Sequence, residues 1–169
     1  GIASAGGDCY MVGVIPTPAI AYLTRTHHMD AGVMISASHN PFEYNGIKFF
    51  DGFGYKLPDE TEDKIEECML KDERAALQSR PTGAAIGTIS AWTDLQQEYA
   101  DFICKSTDID LSGLKVVHDG ANGSASVLGP EILKRLGAEV IAIHHEPNGV
   151  NINEKCGSTH LESLKETVL

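Results

Sequence analysis

The 169-residue chain carries 24 acidic and 13 basic side chains, a net charge of −11 with neutral histidines. Such a charge repels phosphate backbones and anionic lipid heads, which argues against nucleic acid and membrane as partners. A hydrophobic content of 42% with 22% charged residues is typical of a soluble globular chain and excludes disorder. No apolar run approaches the roughly 18 to 20 residues that span a bilayer, so we expect a cytoplasmic protein.

The first half of the chain alternates apolar runs with turn residues. Residues 9–15 predict a buried strand, and the prolines that follow it predict a helix over residues 17–28. Residues 31–35 predict a second buried strand. Residues 47–50 and 55–57 predict two further strands, separated by glycine-containing turns.

A charged helix is predicted to begin near Asp59, with Lys64, Lys71 and Arg74 in its later turns. The stretch over residues 79–91 is rich in small residues and is typical of a connection between domains. We therefore predict two units, residues 1–90 and 91–169.

The second unit reads as strand, helix, strand. Helices are predicted over residues 93–105 and 124–136, and a third from His160 onward. Strands are predicted over residues 114–118 and 138–144, with the parallel, right-handed crossover of a βαβ unit. The predicted fold class is α/β, as two partial three-layer units with mixed or parallel sheets flanked by helices.

Four cysteines lie far apart without a CxxC pair, which favours reduced thiols over a zinc site or a disulfide framework. The neighbouring pairs His27-His28 and His144-His145 point their imidazoles at different angles, so a shared metal is not expected. Cys156 and His160 have a metal-like spacing without a partner pair, and we interpret them as loop structure.

Two loops between a strand and the next element could carry chemistry. Ser38, in Ile35-Ser36-Ala37-Ser38-His39-Asn40-Pro41, follows a strand that we take to be parallel, where open α/β sheets bind ligands. A plain polar connection explains the same residues equally well from spacing alone. The loop Asp119-Gly120-Ala121-Asn122-Gly123 lies before a helix but lacks both GxGxxG and GxxxxGK[ST], so a nucleotide site is weakly supported.

The segment ISASHNP, followed by Asn45-Gly46-Ile47-Lys48, resembles the active-site serine loop of the α-D-phosphohexomutases. Within that superfamily the stretches VIPTPAIAYLTR, NGIKFFDGFGYKLPDE, DGANGSAS and EPNGVNINEKCGSTHLESL are most similar to the bacterial phosphoglucosamine mutase branch. The resemblance covers essentially the whole chain. It implies that the chain is most of the first and the opening of the second of four domains, without the family's DGDGDR metal loop and sugar-reading loop.

The resemblance also implies a reaction. Ser38 would carry a phosphoryl group and exchange it with a hexosamine phosphate, interconverting glucosamine 6-phosphate and glucosamine 1-phosphate through a sugar 1,6-bisphosphate. A phosphoserine carries about −1.5 to −2 charges, and Mg²⁺ is the implied cofactor, held by the Ser38 phosphate and the missing loop. Glucose or mannose phosphates as substrates, and a catalytically incomplete association domain, stay open as alternatives. A homodimer is likewise left open.

Four neighbours of Ser38 complete the predicted site. By resemblance Lys48 projects into the site to stabilise charge or carry a proton, and His39 orients the phosphate or carries a proton. Asn40 and Asn45 are expected to support the loop and the substrate. We expect Ile47 and its alternate neighbour Phe49 to face the core, leaving Lys48 on the opposite face.

Overall fold

The computed structural model describes residues 1–70 and 81–169, within which six strands form three pairs. The strands are β1 (Cys9–Met11), β2 (Ala31–Ser36), β3 (Gly46–Asp51), β4 (Ile89–Ala91), β5 (Lys115–Asp119) and β6 (Glu139–Ile143). The helices are α1 (Thr17–Thr26), α2 (Asp59–Leu70), α3 (Leu95–Lys105), α4 (Leu128–Arg135) and α5 (Glu162–Val168). The α/β fold class is confirmed.

The strand pairs are of both kinds. β1 pairs with β4 and β5 pairs with β6 in parallel, and α4 crosses between the second pair as the βαβ pattern predicts. β2 pairs with β3 antiparallel. Within the described residues, β2 therefore has an antiparallel neighbour, and our expectation of a parallel strand before Ser38 is wrong.

Several element boundaries differ from the prediction. β1 ends at Met11 because the chain turns at Gly13, whose φ is +76°, and the carbonyl of Val12 accepts a hydrogen bond from the side chain of Gln96. β4 lies inside the stretch that we predicted to be a connection. Residues 55–57 form a single bridge, from Lys56 to Phe50, rather than a strand.

The predicted charged helix begins at Asp59, as expected, with three acidic side chains in its first turn that complement the helix dipole. Lys64 lies within it, whereas Lys71 and Arg74 lie outside the described residues. No helix of residues 1–70 and 81–169 has the length and apolar composition needed to cross a membrane.

One buried cluster joins α1, α3, α4 and β2. Tyr99 and Ala100 of α3, in the second predicted unit, belong to the same cluster as α1. The division at residue 90 stays a prediction. The cluster consists of Ile15, Ala19, Ile20, Leu23, Met34, Tyr99, Ala100 and Leu128.

β2 packs closely against α1 through one face. A Cβ at Gly32 would lie 2.2 Å from Oγ1 of Thr24, so only glycine allows this approach of strand to helix. Met34, on the same face, is 8% exposed, whereas Ile35 on the other face is 66% exposed. The packing of α1 on this face fixes the end of β2, from which the Ser38 loop extends.

Candidate active site

Residues 37–45 connect β2 to β3 and carry Ser38 at their start. Ala37 is buried, whereas Ser38 is exposed and has a φ of 58°, in the left-handed region. That conformation costs a residue with a Cβ about 1–2 kcal/mol, so it needs local support. Part of the support comes from Ser36, whose Oγ accepts a hydrogen bond of 3.0 Å from the Ser38 N–H.

The hydroxyl of Ser38 lies beside an imidazole. Its Oγ is 3.4 Å from Nδ1 of His39, at the outer limit of a hydrogen bond, and both side chains are exposed. When Nδ1 is unprotonated it can accept the hydroxyl proton, and when it is protonated it can donate to an oxygen on Ser38. The pair can therefore move a proton to or from this oxygen.

The two asparagines of the loop hold its backbone. The N–H of Asn40 donates to the carbonyl of Ala37 at 3.0 Å, and the side-chain amide of Asn45 donates to the carbonyl of Phe42 at 3.1 Å. The contact of Asn40 is made by its backbone and that of Asn45 by its side chain, and the proposed roles of both residues stay predictions.

Lys48 lies on the face of the β2–β3 pair that we did not expect. It stands opposite Met34, which is buried in the core cluster, whereas Ile47 stands opposite Ile35 and is 60% exposed. The predicted alternation along β3 is present, but the expectation that Ile47 faces the core is wrong because the register with β2 selects the other face. Lys48 is exposed, and its ammonium has no hydrogen bond or ion pair with any residue of the described ranges.

A side chain from the second predicted unit reaches the loop. The amide nitrogen of Asn153 donates to the carbonyl oxygen of Ser38 at 2.9 Å and to that of Asn40 at 2.8 Å. Sequence reasoning missed this residue, because the contact spans more than 100 positions and no local pattern indicates it. The Ser38 loop is therefore held from both predicted units.

The loop over residues 119–123, here called the DGANG loop, contacts the backbone of Asn153. Oδ1 of Asp119 accepts the N–H of Ala121 and Oδ2 accepts the N–H of Gly157, each at 2.9 Å. The carbonyl of Ala121 in turn accepts the backbone N–H of Asn153 at 2.9 Å. One carboxylate thus joins the loop after β5 to the segment that carries Asn153.

Comparison with known proteins shows what the chain is similar to. Residues 1–76 match the family model of phosphoglucomutase/phosphomannomutase, alpha/beta/alpha domain I. The whole chain is 55% identical to phosphoglucosamine mutase of Desulforamulus reducens and 53% identical to that of a Thermoanaerobacter species, and it covers 38% and 37% of their lengths. The chain is therefore similar to phosphoglucosamine mutases along all 169 residues. Its predicted resemblance to the phosphoglucosamine mutase branch is confirmed, over little more than a third of the length of these relatives.

A solved structure extends the comparison to the fold. A phosphoglucomutase/phosphomannomutase family protein from Burkholderia thailandensis superposes on 97% of this chain with a TM-score of 0.71, at 26% identity, and the match covers 35% of that protein. The fold of this chain is therefore similar to that of the Burkholderia protein along nearly all its length.

One histidine of each neighbouring pair has a side-chain partner. His27 places Nε2 2.9 Å from a carboxylate oxygen of Glu98, and His144 places Nε2 2.9 Å from Oγ of Ser163. His144 and His145 line an open cleft of about 700 Å³ beyond the carboxyl end of β6. Within the described ranges, no three His, Cys, Asp or Glu side chains converge as a metal site would require.

Two titratable groups near the strand ends are shielded from water. Cys156 is fully buried, and burial raises the pKa of its thiol, with the carboxylate of Asp119 adding to the effect. Burial likewise lowers the pKa of His118 in β5, and its Nδ1 has no partner among the described residues. Both groups are neutral at pH 7, which is the form suited to a supporting layer beneath the loops.

Proposed function

We propose that the protein containing this chain is a phosphoglucosamine mutase that interconverts glucosamine 6-phosphate and glucosamine 1-phosphate. The observation that carries the proposal is Ser38, an exposed serine in a left-handed conformation on a loop braced from both sides. This serine lies in a chain similar to phosphoglucosamine mutases over all 169 residues.

The proposed reaction consists of two phosphoryl transfers, one from Ser38 to the sugar and one of a different phosphoryl group from the sugar to Ser38. In the first transfer the bond from phosphorus to Oγ of phospho-Ser38 breaks, a bond to the free sugar hydroxyl forms, and the hydroxyl proton ends on Oγ. The bisphosphorylated sugar then reorients in the site. Its other phosphoryl group is transferred to Oγ of Ser38, and the proton on Oγ goes back to the sugar oxygen that this group leaves. The sugar 1,6-bisphosphate is both the intermediate and the activator of a dephosphorylated enzyme.

His39 and Lys48 supply the groups around Ser38 in this proposal. The imidazole lies within reach of Oγ and can carry the proton between the sugar hydroxyl and the serine. The ammonium of Lys48, exposed and without a partner among the described residues, stabilises the charge on the transferring group. A cation here also offsets the strongly acidic character of the chain toward an anionic substrate.

Mg²⁺ is the proposed cofactor, and the described residues do not form a site for it by themselves. An oxygen of a phosphate on Ser38 is a suitable hard ligand, but no cluster of three acidic or imidazole side chains surrounds it in residues 1–70 and 81–169. The remaining ligands are proposed to come from outside these residues. When bound, the ion would offset the charge of the phosphoserine.

The serine is tested in the full-length protein. After incubation with glucosamine 1,6-bisphosphate and Mg²⁺, peptide mass mapping is expected to find phosphate on the Ser38 peptide, and a coupled assay to find mutase turnover. Ser38→Ala should lack both. Ser106→Ala, which changes a serine at the end of α3, should keep both. Turnover by Ser38→Ala at the wild-type rate would refute the proposal.

The rival substrates are glucose phosphate and mannose phosphate. The matched domain model and the Burkholderia structure carry the names phosphoglucomutase and phosphomannomutase. Values of kcat/KM for the three hexose phosphates distinguish the proposals, and we expect glucosamine phosphate to be preferred. The alternative of a catalytically incomplete association domain is tested separately: this chain alone would show no turnover with Mg²⁺ and the bisphosphate, and would restore activity when mixed with the rest of the protein. A cytoplasmic location is part of the same proposal.

A further inference from the structure

We infer that Asn153 is a positioning residue that fixes the orientation of the phosphoserine loop through two backbone carbonyls. The inference rests on the proposed function for its kinetic part. Its structural part concerns only the contact between Asn153 and the residues on either side of His39.

The orientation of the Asn153 amide follows from chemistry. The two atoms that it contacts, the carbonyl oxygens of Ser38 and Asn40, can only accept hydrogen bonds, so the atom facing both must be the NH₂ group. An amide nitrogen has two hydrogens, one for each acceptor. Both donor positions of Asn153 are therefore used on the loop.

The backbone of Asn153 is held as firmly as its side chain. Its φ is 58°, a left-handed conformation that asparagine adopts more readily than most residues. Its N–H donates to the carbonyl of Ala121, and a Cβ placed on Gly157 would come within 2.7 Å of Cβ of Ala121 and 3.3 Å of Oδ1 of Asn153. Gly157 thus lets the DGANG loop and the Asn153 side chain pack together.

Fixing these two carbonyls restrains the backbone that carries the reactive oxygen. The carbonyl of Ser38 lies in the peptide plane that precedes His39, and the carbonyl of Asn40 lies one residue beyond His39, so the two contacts hold the chain on both sides of the imidazole. The strained φ of Ser38 needs such external support. A displacement of about 1 Å in a reacting group can cost about 100-fold in rate, whereas substrate binding elsewhere in a cleft is unaffected.

Asn153→Asp is the sharpest variant. It keeps the shape of the side chain and tolerates the left-handed backbone, but a carboxylate cannot donate and repels both carbonyls. Asn148→Asp is the matched control: it adds the same charge five residues away, and its Oδ1 accepts the N–H of Val150, which a carboxylate oxygen can also do.

The variants are compared in the full-length protein by hydrogen exchange of the peptide over residues 36–45 and by steady-state kinetics. We expect Asn153→Asp to speed amide exchange in that peptide about 10-fold and to lower kcat about 10- to 100-fold, with KM within about twofold of wild type. Asn148→Asp should match the wild type in both measurements.

Each other outcome is informative. Unchanged exchange in Asn153→Asp overturns the inference, and so does faster exchange with an unchanged kcat in an active enzyme. If the wild type lacks mutase activity but Asn153→Asp still exchanges faster than the wild type, the proposed function is refuted and the loop contact is retained. If Asn153→Asp fails to fold, Asn153→Gly removes the amide without backbone strain, and the same two results decide.

Discussion

The carboxylate of Asp8 accepts two hydrogen bonds from Thr88, one from its N–H and one from its hydroxyl, each 2.7 Å long. The two residues immediately precede the parallel pair β1 and β4, so the contact joins the start of both strands. The backbone bond and then the hydroxyl bond lower the pKa of Asp8 below its ordinary value near 3.8.

This contact should give the chain a measurable sensitivity to acid. Because the pKa of Asp8 is lower in the folded chain, its contribution is present above about pH 4 and is lost as the pH falls through the folded pKa. We expect the midpoint of thermal unfolding to fall less steeply between pH 5 and pH 3 in Asp8→Asn than in wild type. Asp108→Asn, at an exposed site, is the control, and equal slopes in Asp8→Asn and wild type would contradict the assignment.

The approach of β2 to α1 predicts a coupled pair of substitutions. In Gly32→Ala the new methyl would overlap Oγ1 of Thr24, and we expect a loss of about 1–3 kcal/mol in the free energy of unfolding. Thr24→Ala removes that oxygen and its hydrogen bond to the carbonyl of Ile20. The double variant should therefore be more stable than the two separate losses predict, by about 1 kcal/mol in urea unfolding. Strictly additive losses would show that the overlap is relieved elsewhere.

Much of the fold follows from local sequence, and the departures have physical causes. Apolar runs and turn residues place most strands and helices within a few positions of the observed ones. The end of β1 is set instead by the left-handed turn at Gly13 and by a side chain from α3, neither of which the apolar run indicates. The antiparallel pairing of β2 likewise depends on β3 lying beside it, and the sequence of β2 alone does not indicate this direction.

The position of Lys48 supports a kinetic prediction. Lys48→Met keeps an unbranched side chain but removes the ammonium, and in the full-length protein we expect kcat for the proposed mutase reaction to fall about 100-fold. Lys64→Met, on exposed α2, is the matched control and should retain wild-type kcat. A Lys48→Met enzyme with wild-type kcat would remove this residue from the proposed catalytic group.

His118 should make stability depend on pH over a different range. Burial lowers its pKa below the ordinary value of 6.5, so the unfolded chain takes up a proton at a pH where the folded chain does not. The free energy of unfolding should fall as the pH drops below about 6.5 and level off below the folded pKa.

The variant His118→Leu, which cannot titrate, tests this dependence. Urea unfolding between pH 7.5 and pH 5.5 should show a shallower slope for His118→Leu than for wild type, whereas His160→Gln, at an exposed site, should leave the slope as it is. A wild-type slope in His118→Leu would assign the dependence to other groups.

As with the fold, some residues of the candidate site could be predicted from the sequence and others could not. Ser38 and its neighbours could be predicted because they are contiguous and resemble a known loop. The face of β3 on which Lys48 lies could not be predicted, because alternation along a strand gives two opposite faces. Only the register with β2, which places Lys48 opposite Met34, selects between them. Asn153 could not either, because its role arises from a contact between segments more than 100 residues apart.

Several contacts join residues 1–70 to residues 81–169. They include the β1–β4 pair, the Asp8–Thr88 contact, the Asn153 amide on the Ser38 loop and the shared buried cluster. Two separately expressed polypeptides covering these ranges should therefore recognise each other and reconstitute the fold. The two hydrogen bonds from Asn153 to the Ser38 loop would then form only where both halves meet, which makes the chain a starting point for a split reporter of association.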